Sequence, residues 1–389
     1  MAACAAMTPT SRPSPTQATA RIDGFAVVVP AGGAGTRLWP VSRAGSPKFL
    51  HDMTGAGRTL LQATWDRLAP LCGAEGVVLV TGAAHVEAVR TQLPDLGSRN
   101  LLAEPSGRDS MAAIGLAAAV LVRRDPDVVL GSFHADHVIT GQDGFRAAVA
   151  EAVAVARTGK VVTIGIRPTH AATGFGYIRP GAALAVDGAP SALEVGEFVE
   201  KPDAATAKEY VESGYLWNAG FFVVRAQVLL DHLAQRLPEL HSGLVQIAAA
   251  LEADPDGASG AAAEVLDRVW PTLTRIAIDH AIAEPVAAAG GMAVVPGRFG
   301  WDDVGDWHSL AGLLPPGSPV VLGDPTDVVA IDAGGLVVPA GGRLVAVVGL
   351  RDVVVVDTPD ALLVTTRQHA QQVKDVVGSL KESGRTDLL

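Results

Sequence analysis

Residues 25–50 read FAVVVPAGGAGTRLWPVSRAGSPKFL, and this stretch decides the fold. Its apolar, β-branched run at 26–29 predicts a short buried strand, which we expect to stop at Pro30. Three glycines follow at once: Gly32, Gly33 and Gly35. A glycine-rich turn lets backbone N–H groups approach a phosphate closely, and Arg37 and Lys48 add two cations beside it. The stretch therefore predicts a binding loop for a polyphosphate anion.

The spacing of the glycines separates this loop from two familiar phosphate-binding loops. It is not the GxGxxG of dinucleotide-binding folds, and the sequence contains no GxxxxGK[ST]. A tight turn without a ligand stays open as the alternative for the loop taken alone.

The composition and charge of the 389-residue chain argue against two classes of protein. A net charge of −11 disfavours a nucleic-acid binder, whose binding surface would be basic, so phosphate recognition must be local. No apolar run reaches the roughly 20 residues that span a bilayer, so we expect no membrane partner. Residues 1–22 are rich in Ala, Ser, Thr and Pro, which predicts a disordered tail. With only Cys4 and Cys72 present, we expect no disulfide framework and a reducing cytoplasm.

Predicted strands and helices alternate after the loop. The predicted strands are 77–80, 101–102, 128–132 and 161–166, and the predicted helices are 60–68, 85–92, 112–123 and 145–157. This alternation implies crossover connections and an α/β fold with a mostly parallel sheet covered on both faces. Ligands of such sheets bind beyond the carboxyl ends of the strands, where the motifs below fall.

The order GGxGTRL followed by PK resembles the signature of the sugar-nucleotide pyrophosphorylases, which join a sugar 1-phosphate to a nucleoside triphosphate. The fuller string PAGGAGTRLWPVSR is most similar to the mannose-1-phosphate guanylyltransferase branch. The resemblance implies a Rossmann-like nucleotidyltransferase domain at 23–313, with Arg37 and Lys48 as catalytic cations. It also implies that the loop binds the nucleotide through Ala31, Gly32, Gly33, Gly35 and Thr36.

The segment EPSGRD at 104–109 resembles the EPxGRN turn that contacts the purine base in this family. The resemblance makes four of its residues nucleotide-binding: Glu104, Gly107, Arg108 and Asp109. Asp109 replaces the usual Asn, and an acid and an amide offer different hydrogen bonds, so this departure bears on base selectivity. We also expect Asp109 to cap the helix that follows.

The segment HADHVI at 134–139 follows a predicted strand. A carboxylate at a strand's carboxyl end is a ready Mg²⁺ ligand, and Asp136 matches the metal-binding Asp of the family's xDHVI motif. In an extended segment the three neighbouring donors would point to opposite faces, which disfavours zinc. We expect His137 to support the site or to pack in the core.

Three further motifs resemble the family's sugar site. TGFGYI at 173–178 is similar to TGYGYI, FVEKP at 198–202 matches FVEKP, and WNAG at 217–220 is similar to WNSG. The resemblance implies sugar-binding roles for Gly174, Glu200, Lys201 and Asn218. Taken alone, an adjacent Glu and Lys are more often a solvated surface ion pair.

The segment FGWDDVGDW at 299–307 resembles the family's FxWxDVGxW, whose Asp completes the metal site. By position that residue is Asp303, and Asp302 fills a slot usually held by a small polar residue. An acidic run is normally a solvated loop, but tryptophans on both sides argue against full exposure.

The last part of the chain has a different pattern. A Pro- and Gly-rich linker at 314–319 precedes short apolar runs at 328–331, 336–338, 344–348, 353–356 and 361–364. Such spacing predicts a small all-β domain at 320–389, which resembles the family's abbreviated left-handed β-helix. An amphipathic helix at 370–381 should pack on it, and we expect the unit to serve packing or a homodimer. The cupin-like isomerase extension of some longer relatives is expected to be absent.

The resemblance implies that GTP and mannose 1-phosphate react to give GDP-mannose and pyrophosphate. The sugar phosphate is already an anion, so charge neutralisation and alignment dominate its in-line attack on the α-phosphorus. Mg²⁺ or Mn²⁺ would lie on Asp136 and Asp303, with Arg37 on the departing pyrophosphate, Lys48 on the α-phosphate and Lys201 on the sugar phosphate. Two alternatives stay open: a pyrophosphorylase for glucose 1-phosphate with UTP, dTTP or ATP, and a catalytically silent sensor of sugar nucleotides.

Overall fold

The computed structural model describes residues 21–33, 35–255, 260–315 and 317–389. The predicted disordered tail lies outside these ranges except for Arg21 and Ile22. Ile22 is fixed to the protein, because its N–H donates to the Leu71 carbonyl at 2.9 Å.

A nine-stranded mixed sheet forms the centre of the molecule, in the order β3-β2-β1-β4-β9-β6-β10-β8-β7. Its strands are β1 Phe25–Ala31, β2 Val77–Gly82, β3 Leu101–Glu104, β4 Val129–Ser132, β6 Val161–Ile166, β7 Gly176–Ala183, β8 Leu193–Val199, β9 Leu216–Arg225 and β10 Met292–Gly297. The pairings give seven strands one direction, while β8 and β9 run opposite. The expectation of a mostly parallel mixed sheet is confirmed.

The strand β1 continues past the predicted stop at Pro30 and ends at Ala31. Its pairing with β4 ends at Val28, so beyond that point β1 has only β2 as a neighbour. A proline without an N–H is tolerated in a strand that has one free side.

Helices cover both faces of this sheet. They are α1 Leu60–Cys72, α2 Val86–Gln92, α3 Asp109–Arg124, α4 Gln142–Ala156, α5 Ala204–Glu212, α6 Ala226–Arg236, α7 Pro238–Ala253, α8 Ala261–Val269, α9 Glu284–Ala288 and α10 Trp307–Leu313. Alternation along β1 divides the core, because Ala26 and Val28 pack with α3, α6 and α7 while Val27 and Val29 pack with α1 and α4. Among the described residues, no helix combines the length and hydrophobicity that crossing a membrane requires.

A two-stranded antiparallel ribbon lies beside the main sheet. It joins β5 Val138–Thr140 to β11 Gly300–Asp302, with Asp302 opposite Val138. This register places the turn before β5 next to the turn after β11. Two segments that are far apart in sequence therefore meet at one place.

Most of the C-terminal strands pair in parallel, as the rungs of a β-helix do. They are β12 Val320–Val321, β13 Val328–Ile331, β14 Gly335–Pro339, β15 Val345–Val348, β16 Val353–Asp357 and β17 Leu362–Thr366. One sheet holds β12, β14 and β16 in parallel, with β17 antiparallel at its edge, and a second holds β13 and β15. The predicted terminal helix is a 3₁₀ turn, Arg367–Gln372, followed by α11, Val373–Glu382.

One hydrophobic cluster joins this β unit to the glycine loop. Leu38 and Trp39, just after Arg37, share the cluster with Val304 of the turn after β11 and with Leu336 and other residues of the β unit. Hydrogen bonds reinforce it: Trp39 Nε1 donates to the Leu388 carbonyl at 2.8 Å, and Trp307 Nε1 donates to the Trp39 carbonyl at 3.1 Å. The C-terminal unit thus holds the backbone on both sides of the site described below.

We predict that Leu336→Ala lowers the free energy of unfolding by about 2–5 kcal/mol, because it opens a cavity at a fully buried position. Leu362→Ala is the control, since Leu362 is 56% exposed and should cost under about 0.5 kcal/mol. Denaturant melts should show one transition for both variants. A separate early transition of the C-terminal unit would contradict the role of the shared cluster.

Candidate active site

The carboxyl ends of three parallel strands converge on one edge of the sheet. The glycine loop follows β1, Glu104 ends β3, and the HADH turn at 134–137 follows β4. Ligands bind at this edge in open α/β sheets. The predicted nucleotide residues and Asp136 therefore follow strands of one sheet edge, and Asp303 follows β11 of the neighbouring ribbon.

Two glycines of the loop adopt backbone conformations that other residues rarely take. Gly33 has φ +89 and Gly35 has φ +53. A Cβ on Gly35 would lie 3.2 Å from Lys48 Cγ and 2.9 Å from Ser42 Oγ. Gly35 is therefore required both by its φ and by the close approach of Lys48.

The two predicted catalytic cations have different environments. The Arg37 side chain is exposed, and its guanidinium makes no ion pair with any described residue. Lys48 is 12% exposed, and its ammonium lies 3.1 Å from Asp136 Oδ2. The same Nζ donates to the Asp303 carbonyl at 2.6 Å and to the Val304 carbonyl at 3.3 Å. One ammonium thus connects both predicted metal-binding residues.

The turn after β11 places Asp303 next to a strained and buried residue. Val304 is fully buried with φ +50, a conformation that costs a β-branched residue of order 1–3 kcal/mol. Asp302 Oδ1 accepts the Val304 N–H at 2.7 Å and stabilises this turn. The Asp303 carboxylate accepts no hydrogen bond from the part of the chain that the structure describes. Of the two acids, Asp303 is therefore the one free to bind a cation.

The pKa of the Asp303 carboxyl is raised to about 6. Burial is the largest cause, the Lys48 charge opposes it, and the charges of Asp302 and Asp136 add to it. Asp136 and Asp303 thus lie within electrostatic reach of each other. The Lys48 ammonium contacts the Asp136 carboxylate and the Asp303 carbonyl, and carboxylate oxygens such as those of Asp136 and Asp303 are the ligands that hard divalent cations prefer.

The expectation that the donors of HADH point to opposite faces is wrong. Ligand atoms of His134, Asp136 and His137 all lie within 4.8 Å of one another, and the two imidazoles stack at 4.5 Å. The cause is a turn at residues 135–136, where the segment is not extended. Side-chain alternation applies only to extended backbone.

The hydrogen bond of His137 nevertheless argues against a metal-ligand role for this residue. Trp301 Nε1, which can only donate, binds His137 Nδ1 at 3.0 Å. Burial, followed by the charges of His134, Lys48 and Arg67, lowers the His137 pKa well below its usual value. A neutral ring that accepts at Nδ1 carries its proton on Nε2. His137 therefore presents an N–H toward Asp136 rather than a lone pair.

The EPSGRD turn is held by residues 270–276, which no sequence pattern indicated. Trp270 Nε1 donates to the Ser106 carbonyl at 2.7 Å, and Arg108 Nη2 donates to the Pro271 carbonyl at 2.5 Å. The predicted helix cap is wrong, because Asp109 is the first residue of α3 and its carboxylate pairs with Arg275 Nε at 3.1 Å. Asp109 also has a φ of +58, in the left-handed region that residues other than glycine rarely adopt.

The predicted sugar residues Glu200, Lys201 and Asn218 lie together. Glu200 is 11% exposed, and its Oε1 accepts from Lys201 Nζ at 2.6 Å. A Cβ on Gly176 would be 2.5 Å from Glu200 Oε2 and 3.2 Å from Asn218 Cβ. The close approach therefore occurs at Gly176, whereas a Cβ on Gly174 would meet open space.

Asn218 lies in a hydrogen-bond network with three partners. Its Oδ1 accepts from Thr163 Oγ1 at 3.0 Å and from the Gly220 N–H at 3.1 Å. Its Nδ2 donates to Asp279 Oδ1 at 2.8 Å. The motifs did not indicate Thr163 or Asp279. The available signal for Asp279 was a lone acid within the apolar run IAIDHAIA, since such a charge needs a partner.

Gly220 connects the sugar and metal groups of residues. It has φ +71, and a Cβ there would lie 2.6 Å from His134 Nε2. The strand β9 thus carries Asn218 and, two residues later, the glycine that lets His134 approach. The predicted sugar and metal subsites are therefore neighbours on one edge of the sheet.

Together these features define an α/β protein with a glycine loop and a group of charged side chains at one edge of its central sheet. The family model described as nucleotidyl transferase matches residues 26–314. The model described as MannoseP isomerase/GMP-like beta-helix domain matches residues 326–380, which confirms the β-helix-like C-terminal unit.

Relatives of known name extend over most of the chain. Mannose-1-phosphate guanylyltransferase of Escherichia coli K12 is 38% identical over 73% of this chain and 58% of its own length. Xanthan biosynthesis protein XanB of Xanthomonas campestris strain B100 is 39% identical over 92% of this chain and 74% of its own length. The chain thus spans little more than half of the E. coli relative.

A solved structure gives the same result. The crystal structure of mannose-1-phosphate geranyltransferase from Thermus thermophilus is 34% identical, with a TM-score of 0.80 over 92% of this chain and 99% of that chain. The chain therefore belongs to the nucleotidyl transferase family, and it is similar to proteins named mannose-1-phosphate guanylyltransferase.

The pKa of Glu104 gives a test that needs no ligand. Burial raises it to about 7, and the carboxylate accepts no hydrogen bond from the described residues. Relative to the ionised carboxylate, the protonated Glu104 side chain stabilises the folded state, and this stabilisation is lost as the pH rises through about 7. We predict that Glu104→Gln gains about 1–3 kcal/mol of unfolding free energy, relative to wild type, between pH 5 and pH 8.

Denaturant melts at both pH values measure this gain. Glu194→Gln is the control, since Glu194 is exposed on β8 and should show no such change. An equal effect of Glu104→Gln at pH 5 and pH 8 would contradict the raised pKa.

Proposed function

We propose that the chain transfers a guanylyl group from GTP to mannose 1-phosphate, forming GDP-mannose and releasing pyrophosphate. The observation that carries the proposal is the convergence of Lys48, Asp136 and Asp303 beside the glycine loop. The names of the relatives support mannose 1-phosphate and the guanylyl group.

The site needs no general base, because the attacking phosphate oxygen is already anionic. Repulsion between two polyanions and their misalignment form the barrier, so placed positive charge lowers it. Asp136 and Asp303 would hold a divalent cation, Mg²⁺ or Mn²⁺, which supplies charge neutralisation between the phosphates. Lys48 is pre-positioned next to them and would contact the α-phosphate.

Arg37 would stabilise the negative charge of the leaving pyrophosphate. Its exposed guanidinium has no protein counter-ion among the described residues, so it can bind the pyrophosphate bidentately. Ala31, Gly32, Gly33, Gly35 and Thr36 would contribute the loop that faces the phosphates. Glu104, Gly107, Arg108 and Asp109 would contact the base.

The sugar phosphate would bind between Lys201 and the carboxylate beside it. Lys201 is mostly exposed and adopts φ +49, so its ammonium can reach a phosphate while Glu200 stays mostly buried. Glu200 accepts from sugar hydroxyls, Asn218 donates to one, and Gly174 lies in the open loop next to Phe175. We place the reaction in the cytoplasm, because a chain with only two cysteines suits a reducing compartment.

A substrate panel separates this reaction from the alternatives. Pyrophosphate release is measured for mannose and glucose 1-phosphates with GTP, UTP, dTTP and ATP. The highest kcat/KM for mannose 1-phosphate with GTP supports the proposal, and preference for another pair contradicts it. A silent sensor would bind GDP-mannose and release no pyrophosphate with any pair.

Removing either predicted metal carboxylate should stop the reaction. We predict that Asp136→Asn and Asp303→Asn each lower kcat by at least about 100-fold with the fold retained, because each loses a cation ligand. Asp267→Asn is the matched control, on an exposed face of α8. Initial rates at several Mg²⁺ and Mn²⁺ concentrations, with circular dichroism, measure both effects. Full activity in both site variants would remove the metal assignment.

We also propose that the C-terminal unit forms a homodimer. Apolar side chains on the paired strands β13 and β15 are exposed, among them Val329, Ile331 and Val348. Apolar patches of this kind mark interaction surfaces. Light scattering should give a dimer for the wild type and a monomer for Ile331→Glu, whereas a wild-type monomer would contradict the proposal.

A further inference from the structure

The residue Asp279 belongs to none of the motifs, yet it occupies an unusual backbone element. It is the first residue of a π-helix, Asp279–Ala283, that continues into α9. Single π-helical turns are rare and occur often at functional sites. The turn begins next to the base-binding segment, because Ser110 Oγ accepts the Ile278 N–H at 3.0 Å.

The hydrogen bonds of Asn218 show what Asp279 does for its neighbour. An amide has two acceptor lone pairs and two N–H donors. Thr163 and Gly220 occupy both lone pairs of Oδ1, and Asp279 takes one of the two N–H groups at 2.8 Å. One N–H of Asn218 is left for a ligand.

Asp279 also contributes to the orientation of the Asn218 side-chain amide. A flipped amide would direct Nδ2 at the Gly220 N–H and Oδ1 at the Asp279 carboxylate, and both contacts would be repulsive. Without Asp279, only the donors at Oδ1 would hold the side chain. The Asp279 carboxylate and the Gly220 N–H therefore fix the amide in one orientation, in which its second N–H has no partner among the described residues.

The charges around Asp279 are typical of a site that binds hydroxyl groups. Burial, and next the charge of Glu200, raise the Asp279 pKa to about 6, while Lys201 and Asn218 oppose the shift. Repulsion between the Asp279 and Glu200 carboxylates destabilises the protein. Donors supplied by a polyhydroxyl ligand would relieve this repulsion, and such strain without a structural benefit is typical of binding sites.

We propose that Asp279 is a positioning residue of the sugar subsite: it orients Asn218 so that one amide N–H donates to a hydroxyl oxygen of the hexose. The proposal rests on the proposed function, since it concerns the sugar phosphate that this same site would bind. It explains why an acid interrupts the apolar run IAIDHAIA.

The test compares Asp279→Ala with Asp279→Asn in the full-length chain. Loss of a charged hydrogen-bond partner is expected to raise the KM for mannose 1-phosphate about 10- to 100-fold and to leave the KM for GTP within about twofold. Asp279→Asn keeps an oxygen that can accept from Asn218 and should restore most of the affinity. Glu284→Ala is the matched control, because it removes an acid from the adjoining helix that pairs with His280 instead.

Two results would overturn the proposal. One is an unchanged KM for mannose 1-phosphate in Asp279→Ala. The other is an equal rise of both KM values together with a lowered melting temperature, which would indicate a structural role alone.

The proposed function can fail separately, and this outcome is recognisable. If the wild type turns over no substrate pair, calorimetric titration with mannose 1-phosphate alone decides about Asp279. Binding by the wild type that Asp279→Ala weakens supports the positioning role. Equal binding by both proteins, or none by the wild type, overturns it.

Discussion

The structure depends on one buried ammonium group. Lys48 lies between the Asp136 carboxylate and the carbonyls of Asp303 and Val304, so three distant segments are held by one cation. A charge in this position must be compensated by partners, since a buried unpaired charge is costly. The β5–β11 ribbon supplies those partners by placing the two turns side by side. The C-terminal cluster around Leu336 then fixes the backbone behind both turns.

In the large α/β part that the structure describes, the non-glycine residues with positive φ lie at the three proposed subsites. They are Asp109 in the proposed base-binding turn, Lys201 in the proposed sugar site and Val304 in the turn beside the proposed metal site. Raised carboxyl pKa values follow the same distribution, at Glu104, Asp279 and Asp303. Strain and electrostatic repulsion of this kind persist at sites that gain binding energy from ligands.

The sequence allowed the sheet to be predicted because periodicity is a local property. The buried run of β1, the glycines after it and the alternation with helices depend on neighbouring residues. Motif resemblance also placed Asp136 and Asp303 at one site, although nothing in their spacing contains the β5–β11 register that joins them. The role of Asp279 could not be predicted, because its partner Asn218 is 61 residues away and belongs to another element.

Two expectations, the one for the HADH donors and the one for the Asp109 helix cap, are wrong at places where the chain turns. The donors of HADH come together because residues 135–136 form a turn, and Asp109 binds Arg275 because a loop with no recognisable pattern packs against it. In both places tertiary contacts outweigh local preference.

The most direct test of the account is the position of a metal ion. Crystals grown with GDP-mannose and Mn²⁺ would be measured at the manganese absorption edge, where anomalous scattering locates the ion. We predict one anomalous peak on carboxylate oxygens of both Asp136 and Asp303, with Lys48 displaced toward a phosphate. A peak on the imidazoles of His134 and His137, or on neither aspartate, would contradict it.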